Sequence, residues 1–146
     1  MAKVDLEIPS PPERVFDVLT DGWSYAGWVV GATHIRDVDH GWPDVGARIH
    51  HSVGAWPFQI EDQTVVQAVE PGKSLELHAK LWPLGTAWIR FELTPTSGGT
   101  LVTMTERAIS GPGSLLPEAV QTVLLVPRNR ETLKRLADLV VRGDHR

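Results

Sequence analysis

The sequence predicts an α+β fold in which a curved antiparallel sheet of about seven strands wraps around one long C-terminal helix. Two observations predict it. Residues 117–142 have helical periodicity, whereas most of the chain before them alternates between apolar and polar residues as strands do. A helix with one apolar face must cover that face with another element, and the sheet is the element available.

The C-terminal helix carries one apolar stripe at the spacing i, i+3, i+4 and i+7, formed by Leu133, Leu136, Ala137 and Val140. Upstream, Val120 and Leu124 continue an apolar face. Pro127 lies between the two halves and predicts a kink or a short break, because proline cannot donate a helical hydrogen bond. Gly143 stands where a C-cap glycine is expected.

The elements before this helix follow from alternation and from turn residues. Ser10 as N-cap, Pro11 at the first helical position and Glu13 at the third predict a capping box that opens a short helix. A second short helix is expected over residues 23–28. The predicted strands are 3–8, 34–39, 47–53, 58–69, 75–81, 87–93 and 101–108.

Composition bounds the class of protein. With 146 residues the chain is expected to form one domain, residues 1–146, and 42% hydrophobic against 22% charged residues argues against disorder. The net charge of −4 argues against nucleic acid as a partner. The absence of cysteine excludes disulfides and thiol catalysis. No signal peptide and no membrane span are recognisable, so a cytoplasmic location is predicted.

Three polar residues are candidates for chemistry because strand alternation turns them towards the apolar side of the sheet. Glu106 shares that face with Met104, and His51 and Asp62 have the same inward parity on earlier strands. A carboxyl group among apolar side chains is costly unless it is paired, so Glu106 is expected either to anchor a ligand hydroxyl or carbonyl or to be a satisfied structural group. As a set, the three would suit acid–base catalysis.

The six tryptophans against one tyrosine are unusual, and they divide by position. Trp28 and Trp56 are expected to flank the mouth of a cavity, where they could stack on a flat ligand or simply pack under loops. Trp88 alternates outward, which suggests a homodimer contact or the cover of a helix end.

Several classes of site lack their motifs. The histidines are scattered without metal-ligand spacing, so no metal is expected. No nucleophile elbow, P-loop or dinucleotide-binding glycine pattern is present, and no cofactor is expected.

Four passages resemble the SRPBCC (START-like, helix-grip) superfamily, in particular its bacterial polyketide cyclase/dehydrase and lipid-transport branch. They are IPSPPERVFDVLTD at residues 8–21, the tryptophan at Trp28, the strand GTLVTMTE at 99–106 and the helix RNRETL at 128–133. Together they span nearly the whole chain. The resemblance implies a helix-grip fold with a cavity between the sheet and the C-terminal helix.

The resemblance also implies the expected function, which is binding of a hydrophobic lipid-, aromatic- or polyketide-like molecule. An aromatic polyketide cyclase or dehydratase and a regulatory or stress module acting through a partner protein remain alternatives, so whether the chain is an enzyme stays open. Fold does not decide among these functions. The expected lining is Trp28, His51, Trp56, Asp62, Met104, Glu106, Val120 and Leu124.

Overall fold

A computed structural model of the chain describes residues 2–28, 32–53, 60–81 and 85–144. Within them, strands pair antiparallel with their neighbours in one sheet of order β1-β7-β6-β5-β4-β3-β2. The strands are β1 (Ala2–Ile8), β2 (Ala32–Val38), β3 (Arg48–Val53), β4 (Ile60–Glu70), β5 (Ser74–Leu81), β6 (Gly85–Thr96) and β7 (Gly99–Ser110). The helices are α1 (Pro12–Leu19), α2 (Tyr25–Trp28) and α3 (Glu118–Asp144). Short 3-10 turns at Gly22–Ser24 and Pro112–Leu115 precede α2 and α3.

The arrangement confirms the predicted α+β helix-grip fold, in which one long helix lies against an antiparallel sheet. Alternation along β6 and β7 is regular, with every second side chain buried over most of each strand. This regularity is the reason that the sequence predicts these two strands well. Both are longer than predicted at each end: a tight hairpin at residues 97–98 extends them at one end, and the pairing of Thr86 with Ser110 extends them at the other.

The predicted capping box at α1 is wrong. The helix begins at Pro12, Pro11 occupies the N-cap position, and no side chain caps the first turn. Ser10 is buried instead, and its carbonyl oxygen accepts a hydrogen bond of 2.8 Å from the Thr100 hydroxyl. This bond ties the start of α1 to β7, so a tertiary contact replaces the local cap.

The C-terminal half of α3 supplies the helical side of the core. Leu133, Leu136 and Val140 are at most 1% exposed and join the buried side chains of the sheet, as their spacing predicts. Of the two outcomes expected at Pro127, a kink or a short break, the break does not occur, since α3 runs through this residue without interruption. Proline removes one helical hydrogen bond and its ring crowds the carbonyl group four residues earlier, but the turns on either side keep the helix continuous. Gly143 is not a C-cap, because the helix continues through it.

The N-terminal half of α3 differs from the C-terminal half. Val120, Val123 and Leu124 are 41%, 72% and 60% exposed, so the predicted apolar face does not pack on the sheet over its whole length. A buried half and an exposed half on one helix leave room between the sheet and the start of α3.

Candidate ligand-binding site

A row of small side chains crosses the inner face of the sheet. Ala79 on β5 is paired with Ala87 on β6, and Ala87 with Ala108 on β7. The next row towards the C-terminal half of α3 is bulkier, because Leu77 is paired there with Ile89. Alanine methyl groups cannot fill the distance to a helix that the larger row spans. The cavity lies at the β6 and β7 end of this row, where Ala87 and Ala108 line it.

The cavity lies between the ends of β6 and β7 and the N-terminal half of α3, and its volume is about 320 Å³. It is lined by Gly85, Thr86, Ala87, Glu106, Ala108, Leu116, Gln121, Leu124, Leu125 and Arg128. Leu116 and Leu124 are 42% and 60% exposed, so the cavity opens to solvent on their side. Small-molecule sites usually have volumes of about 300–1,000 Å³, so this one suits a compact ligand and is too small for a two-chain lipid.

Gly85 allows the strand ends that form one wall to approach closely. Its φ is +109°, a conformation that favours glycine, and a Cβ there would overlap the carbonyl oxygen of Ser110. Beside it, the hydroxyl groups of Thr86 and Ser110 are hydrogen-bonded. Close backbone packing at Gly85 and the hydrogen bond between Thr86 and Ser110 therefore both hold this wall together.

Gln121 connects the helix to the sheet at the same end of the cavity. Its side-chain Nε2 donates to the carbonyl oxygen of Leu116 at 2.9 Å, and its Oε1 accepts from the backbone N–H of Ala108 at 3.3 Å. One amide thus satisfies two backbone groups that would otherwise border an apolar space.

Glu106 is the most polar group deep in the cavity wall. Its side chain is 1% exposed, and its Oε1 atom has no hydrogen-bond partner in the described part of the chain. Its neighbours across the sheet are Ile89 and Ala2, which offer no side-chain donor. Nearly all buried polar groups in proteins have a partner, so the unpartnered oxygen of Glu106 requires an explanation, of which a bound water molecule or ligand is one.

A second polar group, Arg128, lines the cavity from α3. Its side chain is half-buried, and it forms no ion pair with Glu106 although both face the same space. Both charges act on Tyr25, where Arg128 lowers and Glu106 raises the pKa of the phenol. The two groups are therefore near the same buried tyrosine.

Tyr25 belongs to a buried hydrogen-bonded chain. Thr64 Oγ1 lies 2.9 Å from His51 Nε2, and the Thr64 side chain lowers the pKa of the Tyr25 phenol through hydrogen bonding. The rings of Tyr25 and His51 are stacked with their centroids 5.9 Å apart. Burial raises the pKa of the Tyr25 phenol above its usual value, and the bond to Thr64 opposes part of that increase.

The raised pKa of Tyr25 predicts how stability changes in alkali. The folded protein keeps the phenol neutral to a higher pH than the unfolded chain does. The contribution of Tyr25 is therefore complete below about pH 10 and is lost as the pH rises through the folded-state pKa. Because the chain has one tyrosine, tyrosinate absorbance reports on this residue alone. We expect the absorbance to change above about pH 10, together with unfolding.

The matched variant Tyr25→Phe should show no tyrosinate signal and a smaller alkaline loss of stability. A tyrosinate midpoint near the ordinary value of about 10, with the fold intact by circular dichroism, would contradict the burial of Tyr25.

The structure brings few of the other predicted residues to this cavity. Leu124 lines it, whereas Val120 does not and lies exposed on the same helix. Trp28 and Met104 are buried in the core, Trp28 with its ring edge-on to Phe91 at 5.7 Å. Because α2 packs against α3, Trp28 is a core residue and does not flank the mouth.

His51 and Asp62 share the inner face of the sheet, since they are directly paired between β3 and β4. His51 is 2% exposed, whereas Asp62 is half-buried and its Oδ1 accepts a bond of 2.9 Å from the backbone N–H of Gln63. Neither residue lines the cavity that Glu106 lines. Trp56 lies outside the described residues.

Asn129 is a buried polar residue that its sequence position suggests to be solvated. It is 0% exposed, and neither atom of its side-chain amide has a partner in the described ranges. It lies four residues after Leu125 and four before Leu133, so it shares the inner face of α3. That spacing is the sequence signal from which the burial of Asn129 could have been predicted.

Trp88 points to the opposite face of the sheet, as alternation predicts. The guanidinium of Arg107 lies 5.4 Å from the centre of its ring, and its Nε1 donates a long bond of 3.5 Å to Glu76. Trp88 is therefore half-buried by its own chain. A subunit contact is no longer needed to explain it.

The family model described as "Activator of Hsp90 ATPase homolog 1-like protein" matches residues 9–136. The chain belongs to this family. The family is part of the SRPBCC superfamily, so the resemblance found in the sequence is confirmed. The match covers α1, the strands β2 to β7 and most of α3, and hence all the described residues that line the cavity.

Solved structures show the same fold at low sequence identity. Protein MLL2253 from Mesorhizobium loti is 23% identical with a TM-score of 0.71, over 97% of this chain and 96% of that one. Protein NE0264 from Nitrosomonas europaea is 18% identical with a TM-score of 0.76, over 99% and 96%. The di-domain ARO/CYC StfQ from the steffimycin biosynthetic pathway is 12% identical with a TM-score of 0.72, over 99% of this chain and 51% of StfQ. No curated protein matches the chain.

Two features are absent from the described residues. None of their helices is long and apolar enough to cross a membrane. Among the same residues, no three or more histidine, aspartate or glutamate side chains are grouped as a metal site would require.

Proposed function

We propose that the chain binds one compact hydrophobic molecule in the cavity between β6, β7 and α3. The observation that carries the proposal is an apolar space of about 320 Å³ whose wall contains the unpartnered Oε1 of Glu106. An apolar pocket with a few convergent polar groups is the usual form of a small-molecule site. The likeness to StfQ, whose name describes an ARO/CYC protein, supports a cyclic ligand.

The first experiment is mass spectrometry of the purified protein, native and then denatured. We expect a co-purifying small molecule that is released on denaturation. Ala108→Leu would then extend a side chain into the cavity and should weaken rebinding of that molecule by about tenfold or more. Isothermal titration measures the difference.

The matched control for this substitution is Thr105→Leu. Thr105 is half-buried on the opposite face of the same strand, so this leucine adds apolar bulk outside the cavity. Equal loss of affinity in both variants, or unchanged affinity in Ala108→Leu, would contradict binding at this site.

An aromatic polyketide cyclase or dehydratase is the second candidate. The likeness to StfQ and the buried chain of Tyr25, Thr64 and His51 favour it. Catalysis requires acid–base groups that reach the ligand, and of the three predicted residues only Glu106 lines the cavity. Binding without turnover is therefore the better-supported function. Turnover that is lost in His51→Gln while binding is kept would reverse this order.

The remaining predictions concern partners and location. The family description names an activator of an Hsp90 ATPase, which keeps a regulatory function through a protein partner as a third candidate. A homodimer stays a prediction, to be tested by light scattering at high concentration. The cytoplasmic location also stays a prediction of the sequence.

A further inference from the structure

Two charged side chains line the cavity, and their hydrogen-bonding needs are complementary. Glu106 presents an oxygen that lacks a donor in the described part of the chain, and its position on β7 is deep, at 1% exposure. Arg128 presents a guanidinium, which only donates, from the half-buried edge of α3. Since the two form no ion pair, neither satisfies the other.

The surface between these groups is apolar. Most of it is formed by the side chains of Ala87, Ala108, Leu116, Leu124 and Leu125. The polar groups of Thr86 and Gln121, which also line the cavity, are already hydrogen-bonded within the chain. A molecule that filled the cavity would therefore have an apolar body, with one polar group at each end. The deep end must donate to Glu106, and the outer end must accept from Arg128.

Charge fixes the direction in which such a molecule enters. An acidic group placed beside Glu106 would be a second carboxyl in a buried site, which is unfavourable. The same group beside Arg128 forms a charge-assisted hydrogen bond, which is about twice as strong as a neutral one. The hydroxyl therefore enters first and the acidic group stays at the outer edge.

We infer that the cavity takes a hydroxylated ring carboxylic acid, with its hydroxyl donating to Glu106 and its carboxylate held by Arg128. This inference rests on the proposed function and names the class of its ligand. The volume of about 320 Å³ is near the lower limit of ligand sites, so the ring system is small, of one or two fused rings.

Four naphthalene compounds test the inference because they share one apolar body. They are naphthalene, naphthol, naphthoic acid and a hydroxynaphthoic acid with its two groups at opposite ends. We expect the hydroxynaphthoic acid to bind most tightly to the wild-type chain, with each polar group strengthening binding by about tenfold. Fluorescence titration measures all four.

Two variants separate the contributions of the two groups. Arg128→Gln should remove the gain from the carboxylate and keep the gain from the hydroxyl. Glu106→Leu should do the reverse. Arg130→Gln, an exposed position on the same helix, is the control and should change neither.

Three results would overturn the inference. Equal affinity for all four compounds would show a cavity without polar recognition, and the proposed function would stand. If the hydroxyl and the carboxylate still strengthen binding in both Arg128→Gln and Glu106→Leu, the polar contacts lie elsewhere. Absence of binding of all four, while a molecule co-purifies with the wild-type chain and is excluded by Ala108→Leu, would reject this ligand class and leave the proposed function intact.

Discussion

Replacing Glu106 by leucine should stabilise the ligand-free protein by about 1–3 kcal/mol, while the variant loses its preference for a hydroxyl-bearing ligand. The carboxyl group is 1% exposed and its Oε1 has no partner in the described ranges, so folding removes it from water without a compensating bond. A leucine of similar size carries no such cost. Urea denaturation of the ligand-free protein measures the change in the free energy of unfolding.

Glu106→Gln is the matched control, because it keeps the shape and a polar group at the same position. It should not share the stabilisation of Glu106→Leu. A leucine variant that is less stable than the wild type would show that Glu106 has a structural partner, and the ligand anchor would then lose its physical basis. Residues that are kept for ligand binding often lower the stability of the ligand-free protein.

Leu136→Ala should lower the free energy of unfolding by about 2–5 kcal/mol, whereas Leu124→Ala on the same helix should change it by less than about 0.5 kcal/mol. Leu136 is 0% exposed in the core, and its removal leaves a void that close-packed neighbours cannot fill. Leu124 is 60% exposed. Thermal and urea unfolding of the two variants measure the contrast.

Ligand affinity should distinguish these two variants differently from stability. Leu124 lines the cavity, so Leu124→Ala is expected to weaken binding of the co-purified molecule although it hardly affects folding. Equal destabilisation by both leucine substitutions would mean that the N-terminal half of α3 packs as tightly as its C-terminal half. The cavity would then be absent in solution.

Periodicity was sufficient for most of the fold. The strand parity of His51 and Glu106 and the stripe of Leu133, Leu136 and Val140 follow from repeat lengths that every strand and helix shares. Local signals at the element ends were less reliable. Ser10 and Gly143 are residue types that often cap helices. Ser10 instead bonds to Thr100 of β7, and Gly143 lies inside α3, which continues to Asp144.

The candidate site was harder to predict because a cavity depends on which residues become neighbours across strands. Ala87 and Ala108 lie on different strands, and only the register of β6 and β7 makes them neighbours on the cavity wall. The place of Arg128 on the cavity wall depends on how α3 lies over these residues. Trp28 was expected at the mouth, but the contact of α2 with α3 buries it.

The sequence by itself determined the α+β class, the order of the elements, the long closing helix and the inward parity of Glu106. These features depend on local periodicity, which the chain carries in every segment. The tertiary structure alone decided where the space lies, that Glu106 and Arg128 face it together, and that His51 and Asp62 do not line it. A cavity is a mismatch between two packed surfaces, and that mismatch exists only after the helix and the sheet have met.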